Sequence, residues 1–407
     1  MFFGFRKILR GLLSSVFLLA GCQNSDLSVC LEESQKPISA EECFGFKENS
    51  LINLQIKSIY VGRCSDFQEI SKTLEKYGAN AVVIDVKNDF GQLFPGLPVP
   101  YNSKNRFVTD KNFQNLLKKL KKRKIYAIAR VVALKEFTRD DLCIRGKDRA
   151  VIIDKEKMSW MDPRSEKVLQ YLEEICTAAV KIGFDEVQLD YVRFSSYFRD
   201  DVRNTNFRRD VKEKIVGKSV TGDGTQNRLQ KNFGSDSTNR TRINAVNNLT
   251  DRITSAVHRL GGKVSVCVFG STIEGSVDTP KKKGQTKKSA EILGQDYIEL
   301  AERADYVCPM IYPSHYPRHT PCGIEDPDLE PYKTVSICMK LSNDMFKAAR
   351  KKHLRAKVRP YLQAFTAKWL KNHQEYGKEE INDQIRAVLD SDSAKQWGLF
   401  HMAGKYP

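Results

Sequence analysis

The feature that most constrains this chain is the return, eight times between residues 56 and 402, of a short run rich in Val, Ile, Leu and aromatic residues. The runs are 56–62, 80–87, 125–132, 183–194, 263–270, 305–312, 357–364 and 397–402, and amphipathic helical patterns separate most of them. Strand-like runs alternating with helical patterns predict an α/β fold with a parallel sheet, and eight of them predict a closed (β/α)8 barrel. Pro309 sits awkwardly in the sixth run, because proline donates nothing to a strand ladder.

The central run, 183–194, reads Gly-Phe-Asp-Glu-Val-Gln-Leu-Asp-Tyr-Val-Arg-Phe. Alternation sends Val187, Leu189 and Tyr191 to one face and Gln188 and Asp190 to the other. A helix-covered parallel sheet hides its apolar face, so a polar second face belongs at the mouth of a barrel, where strand C-terminal ends carry chemistry. An ordinary edge strand with Asp190 capping the next element is the alternative. The same parity puts Asp85 and Lys87 at the end of 80–87 and Arg130 at the end of 125–132. Arg193, Tyr312, His315, Arg359 and Gln363 are expected at that rim, with Trp160, Tyr316 and Tyr101 near it as aromatic platforms. Asp162 precedes Pro163 and a helical pattern, so it is either a helix N-cap with proline in the first turn or a further rim ligand.

Aromatic faces beside carboxylates and amides suit a carbohydrate, whose ring faces are apolar and whose edges are hydroxyls. Glycoside hydrolysis needs two carboxyl groups, and the best pair is Asp190, as nucleophile or base, with Asp85 as proton donor. They stand two strands apart, about 10 Å between backbones. Lys87 beside Asp85 would oppose its protonation. No cysteine pair or His has zinc spacing, so no metal or cofactor is expected.

The formal charge of +17 is spread along helix faces and not gathered beside a nucleic-acid motif, so no nucleic acid is expected as a partner. Arg6, Lys7 and Arg10 precede the apolar run from Leu12 to Leu19, too short to span a bilayer, which ends Leu19-Ala20-Gly21-Cys22. This looks like a bacterial lipoprotein signal, residues 1–21, with Cys22 as the lipid-bearing first residue; an uncleaved N-terminal anchor is the alternative. Either one attaches the chain to a membrane outside the cytoplasm. Nine cysteines follow Cys22, an odd number, so at least one thiol stays unpaired. Residues 22–52 are polar and aperiodic and are expected to be a tether. The barrel is then expected over 53–407, with polar insertions at 197–242 and 275–289.

Several of these segments, in order, resemble the glycoside hydrolase-like family DUF4015. They are Val83-Ile84-Asp85-Val86-Lys87, Ala129-Arg130-Val131-Val132, Trp160-Met161-Asp162-Pro163, Asp190-Tyr191-Val192-Arg193-Phe194, Val268-Phe269-Gly270, Pro309-Met310-Ile311-Tyr312-Pro313-Ser314-His315-Tyr316 and Val358-Arg359-Pro360-Tyr361-Leu362-Gln363. The resemblance covers nearly all of 54–407 and implies a TIM barrel acting on a polysaccharide or oligosaccharide. Two departures stand out. Cys267 occupies a position where the family's fifth strand has an Asp, and Phe400-His401 replaces a Trp-Asn-like pair. The first raises a second reading, a glycan-binding protein that has lost a catalytic acid.

Overall fold

The computed structural model describes residues 54–407, apart from 63–65, 95–96, 98–112, 147–148, 155, 197–225, 275–289, 321–322 and 351. The expectations for the signal, Cys22, the tether, Tyr101, the insertion 275–289 and much of 197–242 therefore lie outside the described residues.

The compact unit runs from Gln55 to Pro407. In chain order its elements are β1 (Lys57–Gly62), α1 (Phe67–Tyr77), β2 (Ala81–Lys87), α2 (Phe113–Lys122), β3 (Tyr126–Val132), β4 (Lys135–Glu136), β5 (Ser159–Trp160), α3 (Glu166–Lys181) and β6 (Glu186–Asp190). They continue with α4 (Gln226–His258), β7 (Lys263–Phe269), α5 (Ser271–Glu274), α6 (Tyr297–Ala301), β8 (Tyr306–Ile311), α7 (Pro331–Ala348), β9 (Lys357–Val358), β10 (Tyr361–Gln363), α8 (Lys378–Asp390) and β11 (Trp397–Phe400).

The barrel strands pair in parallel in the order β1, β2, β3, β6, β7, β8, then β9 and β10 as two pieces of one strand, then β11, which returns to β1. The sheet is thus a closed eight-stranded (β/α)8 barrel, as the alternation predicts. Between β3 and α3, the short strands β4 and β5 form an antiparallel pair. β2 and β3 are buried at every position, which is why their sequences run apolar almost without a break. Val82, Ile84, Val187 and Leu189 join Leu116, Leu120, Leu172 and Ile253 in one apolar core.

Pro309 is inside β8 after all, and its position explains the split seventh strand. Arg359 N donates to Val307 O at 3.0 Å. The next donor toward β9 and β10 in the alternation is residue 309, which has no N–H. Pairing on that side resumes at Met310, opposite Tyr361. Residues 226–242, expected within a polar loop, instead begin α4; that stretch lacks the apolar spacing by which a helix is recognised in sequence.

Inside the barrel the fillers are unusually polar and lie in tiers along β6. Glu186 pairs with Arg359, Gln188 Oε1 accepts from Tyr361 Oη at 2.7 Å, and Asp190 Oδ2 accepts from Arg130 Nε at 2.8 Å. All three β6 residues point one way, as period-two alternation requires. The lowest tier is sealed and the uppermost opens to solvent.

Candidate active site

Arg130 is the hub of the upper tier. Its guanidinium places Nη1 2.8 Å from Asp85 Oδ1, Nη2 2.7 Å from Asp190 Oδ2, and Nη2 3.5 Å from Asp89 Oδ1. Burial alone would weaken its hold on the proton, but the Asp85 and Asp190 carboxylates outweigh that and raise its pKa well above the ordinary arginine value. Three carboxylates therefore share one fixed cation.

Asp190 is held from two sides, since its Oδ1 accepts from the Tyr191 backbone N–H at 2.7 Å. Tyr191 adopts φ +49, a left-handed conformation that costs a non-glycine residue roughly 1–3 kcal/mol. Beyond Asp190 the strand therefore stops, and Tyr191, expected on the helix-facing side, lines the cavity instead. The left-handed turn brings the Tyr191 N–H onto Asp190 Oδ1, and with Arg130 on Oδ2 the direction of the carboxylate is fixed.

The cavity over this tier has a volume of about 470 Å³, within the usual range for small-molecule sites. Its wall includes Asp89, Asp190, Arg193, Cys267, Tyr312 and His315. Tyr312 stacks on Phe400, with centroids 5.6 Å apart and planes at 25°. Burial lowers the His315 pKa and leaves its ring neutral near pH 7. Tyr316 also reaches the wall, and it can do so because residue 270 is glycine: a Cβ there would lie 2.1 Å from Tyr316 Oη. Burial, followed by the Asp190 charge, raises the Cys267 pKa well above that of a free thiol, so this group stays neutral. Arg193 lies over three rings, 4.5 Å from the Phe269 centroid, 4.9 Å from Trp160 and 5.0 Å from Tyr191. Among the described residues no group of three or more His, Cys, Asp and Glu side chains is placed to hold a metal ion.

The structure thus brings Asp190, Arg130, Arg193, Tyr312, His315 and Tyr316 together at one cavity, and corrects six other placements. Asp85 is buried, with Oδ2 accepting from Tyr60 Oη at 2.9 Å and Oδ1 taken by Arg130; it borders an adjoining cleft instead of the cavity wall. Lys87 is fully buried, not at the rim. A register shift after Asp85 turns its Nζ toward Glu136 Oε2 at 3.0 Å and the Val132 carbonyl at 2.9 Å, so it faces Glu136 and not Asp85. Trp160 is 2% exposed, its Nε1 donating to Asp154 Oδ2, and offers no stacking face to solvent. Asp162 neither caps a helix nor meets the cavity: α3 begins at Glu166 after Ser165, and Arg164 engages both Asp162 oxygens, at 2.9 and 2.7 Å. Arg359 belongs to the sealed bottom tier with Glu186. Gln363 is wholly buried and ties loops together, accepting from Ser314 N at 2.9 Å and donating to Phe365 O at 3.0 Å.

Nothing in the sequence singled out Asp89, a cavity-wall carboxylate with a side chain 38% exposed. The available signal was local. Asn88 Oδ1 accepts from both Phe90 N and Gln92 N at 3.0 Å, an Asx turn of the kind that Asn followed closely by Gly favours. Gly91, at φ +72, packs so tightly that a Cβ would lie 1.8 Å from Glu136 Oε1. The Lys87–Glu136 pair thus braces the turn that carries Asp89.

A family model described as "Putative glycosyl hydrolase domain", DUF4015, matches residues 54–406. Among solved structures, the PgaB (BpsB) glycoside hydrolase domain from Bordetella bronchiseptica superposes with a TM-score of 0.56 at 12% identity, over 86% of this chain and 95% of that one. A beta-galactosidase from the psychrophilic Marinomonas ef1 superposes with a TM-score of 0.53 at 11% identity, over 84% of this chain and 54% of that one. At these identities the likeness concerns the fold. A comparison with curated proteins finds no match.

Proposed function

We propose, from the premise that the chain belongs to the DUF4015 family, that it hydrolyses a glycosidic bond of a polysaccharide or oligosaccharide in the cavity over Arg130. The observation that carries this reading is the pair of carboxylates, Asp190 and Asp89, facing one cavity at the mouth of a (β/α)8 barrel. Asp190, oriented by Arg130 and by the Tyr191 N–H, serves as nucleophile or as the base that activates water. Asp89, partly exposed, protonates the leaving oxygen and recovers a proton from solvent. Asp85, saturated by Tyr60 and Arg130, positions the guanidinium. Tyr312, Phe400 and Tyr191 supply aromatic surface for the apolar face of a sugar ring.

The test is release of reducing ends from a panel of glycans by the parent protein and by Asp190→Asn. Cleavage by the parent that vanishes in the variant supports the assignment, and undiminished cleavage by the variant removes Asp190 from it. Cys267 favours a second reading, a glycan-binding protein short of one acid, because a neutral thiol adjoins Asp190 where the family is expected to carry Asp. In that case Cys267→Asp would gain hydrolysis that the parent lacks.

We also propose that the protein is exported and anchored through lipid on Cys22, outside the cytoplasm at the cell envelope. The support is the basic and apolar start followed by Leu19-Ala20-Gly21-Cys22. Among the described residues no helix is long and apolar enough to cross a membrane. Metabolic labelling with a fatty acid should mark the parent and not Cys22→Ser; equal labelling would end the proposal.

A further inference from the structure

We propose that Trp369 and Phe365 form a second sugar-binding subsite outside the cavity, seating a further unit of the same glycan chain. This rests on the reading of the cavity as a carbohydrate site. Trp369 is 60% exposed, whereas the other two tryptophans, Trp160 and Trp397, are 2% and 1% exposed. Burying an indole is strongly favourable, so one held against other rings and still left exposed fits a ligand better than a fold.

The indole continues the aromatic lining of the cavity. Trp369 stacks on Phe365 at 29° with centroids 5.9 Å apart, and Phe365 meets Tyr312 of the cavity wall edge-on at 5.8 Å. His315, also on the wall, stands edge-on to Trp369 at 6.0 Å. The row of rings therefore steps outward from the acids to the surface without a break, as a chain of sugar units would.

The shelf is also rigid. Phe365 O accepts from Gln363 Nε2 at 3.0 Å, Leu370 N donates to Ala367 O at 2.9 Å, and Asn372 Nδ2 donates to Asp326 Oδ2 at 2.9 Å. Gln374 Nε2 at 2.6 Å and Tyr376 Oη at 3.0 Å both donate to Asp328 O. A platform fixed before binding loses little entropy when a ligand arrives. The buried Gln363 thus acts on sugar binding at one remove, by holding Phe365. The occupant follows from continuity with the cavity: a stiff apolar shelf leading into a polar, carboxylate-bearing pocket matches the stacked faces and hydroxyl edges of successive sugars.

The test uses the full chain carrying Asp190→Asn, so that no turnover occurs, with and without Trp369→Ala. Chito-, cello- and galacto-hexasaccharides, the matching disaccharides and phosphatidylglycerol vesicles are the probes. Because the other tryptophans are buried, acrylamide quenching of tryptophan emission reads Trp369. At least one hexasaccharide should shield it, and Kd for that glycan should rise about tenfold in Trp369→Ala and recover in Trp369→Tyr. Disaccharide affinity should stay within about twofold of the parent. No shielding by any hexasaccharide, an unchanged Kd in Trp369→Ala, or shielding by vesicles or by raised protein concentration alone overturns the proposal. With Asp190 intact, cleavage of a long glycan that is indifferent to Trp369→Ala sinks the subsite and spares the hydrolase. Hexasaccharide binding at Trp369 without any cleavage does the reverse.

Discussion

Two arginine–carboxylate assemblies occupy the barrel lumen four residues apart along β6, and they differ in stoichiometry and in access to water. At the bottom, Arg359 meets Glu186 alone, and both side chains have no exposure. At the mouth, Arg130 meets Asp85 and Asp190 closely and Asp89 more loosely, and Asp89 and Asp190 open onto a cavity. A matched, dry pair has its charge balanced and no opening through which a ligand could reach it. An unmatched set beside a cavity keeps carboxylate capacity in reserve. The lesson is that a polar lumen does not by itself mark an active site; the surplus of acid over base, met by solvent, does.

Substituting one acid in each assembly gives the sharpest contrast. Asp190→Asn should lower hydrolysis by about 10³-fold or more while the melting temperature changes little, because Arg130 keeps Asp85. Glu186→Gln should leave Arg359 buried without its counter-charge and destabilise by about 3–5 kcal/mol, read by urea unfolding, with turnover per folded molecule close to the parent's. If Glu186→Gln abolishes turnover in folded protein, the division between the two tiers fails.

A smaller effect separates Asp89 from Asp85 at the mouth. Asp89→Asn should slow cleavage of unactivated glycosides about 10²-fold but spare aryl glycosides whose leaving group needs no proton. Equal losses on both substrates would deny Asp89 the donor role.

The smallest expected effect concerns the brace beneath Asp89. Burial opposes the Glu136 charge, but Lys87 and the Thr138 N–H more than offset it and lower its pKa. A carboxyl with a depressed folded pKa adds stability above its unfolded value, near 4.3, and loses it as pH falls through the folded value. Stability by urea unfolding should therefore decline as pH falls below about 4.3, and Glu136→Gln, less stable at every pH because Lys87 stays buried without its counter-charge, should flatten that limb.

Much of this architecture could be read from the chain. The eight runs appear as the eight barrel positions, and alternation within 183–194 correctly separates Gln188 and Asp190 from Val187 and Leu189. Asp190 and Arg130 lie where period two puts them. The failures share a cause: Lys87, Arg359, Gln363 and Trp160 have the right chemistry for a sugar site, but their partners consume it. Glu186 is 173 residues from Arg359, and Asp85 is 45 from Arg130. No local pattern records such distances.

The sequence by itself determined the barrel and the β6 residues that face its axis, because strand and helix periods are local properties of the chain. Tertiary structure alone decided which charges cancel, that Tyr191 turns left-handed to aim Asp190, and that Asp89 and Trp369 reach the open end. Those outcomes depend on which side chains from separate strands arrive at the same depth of one cylinder, and depth follows from closure and register.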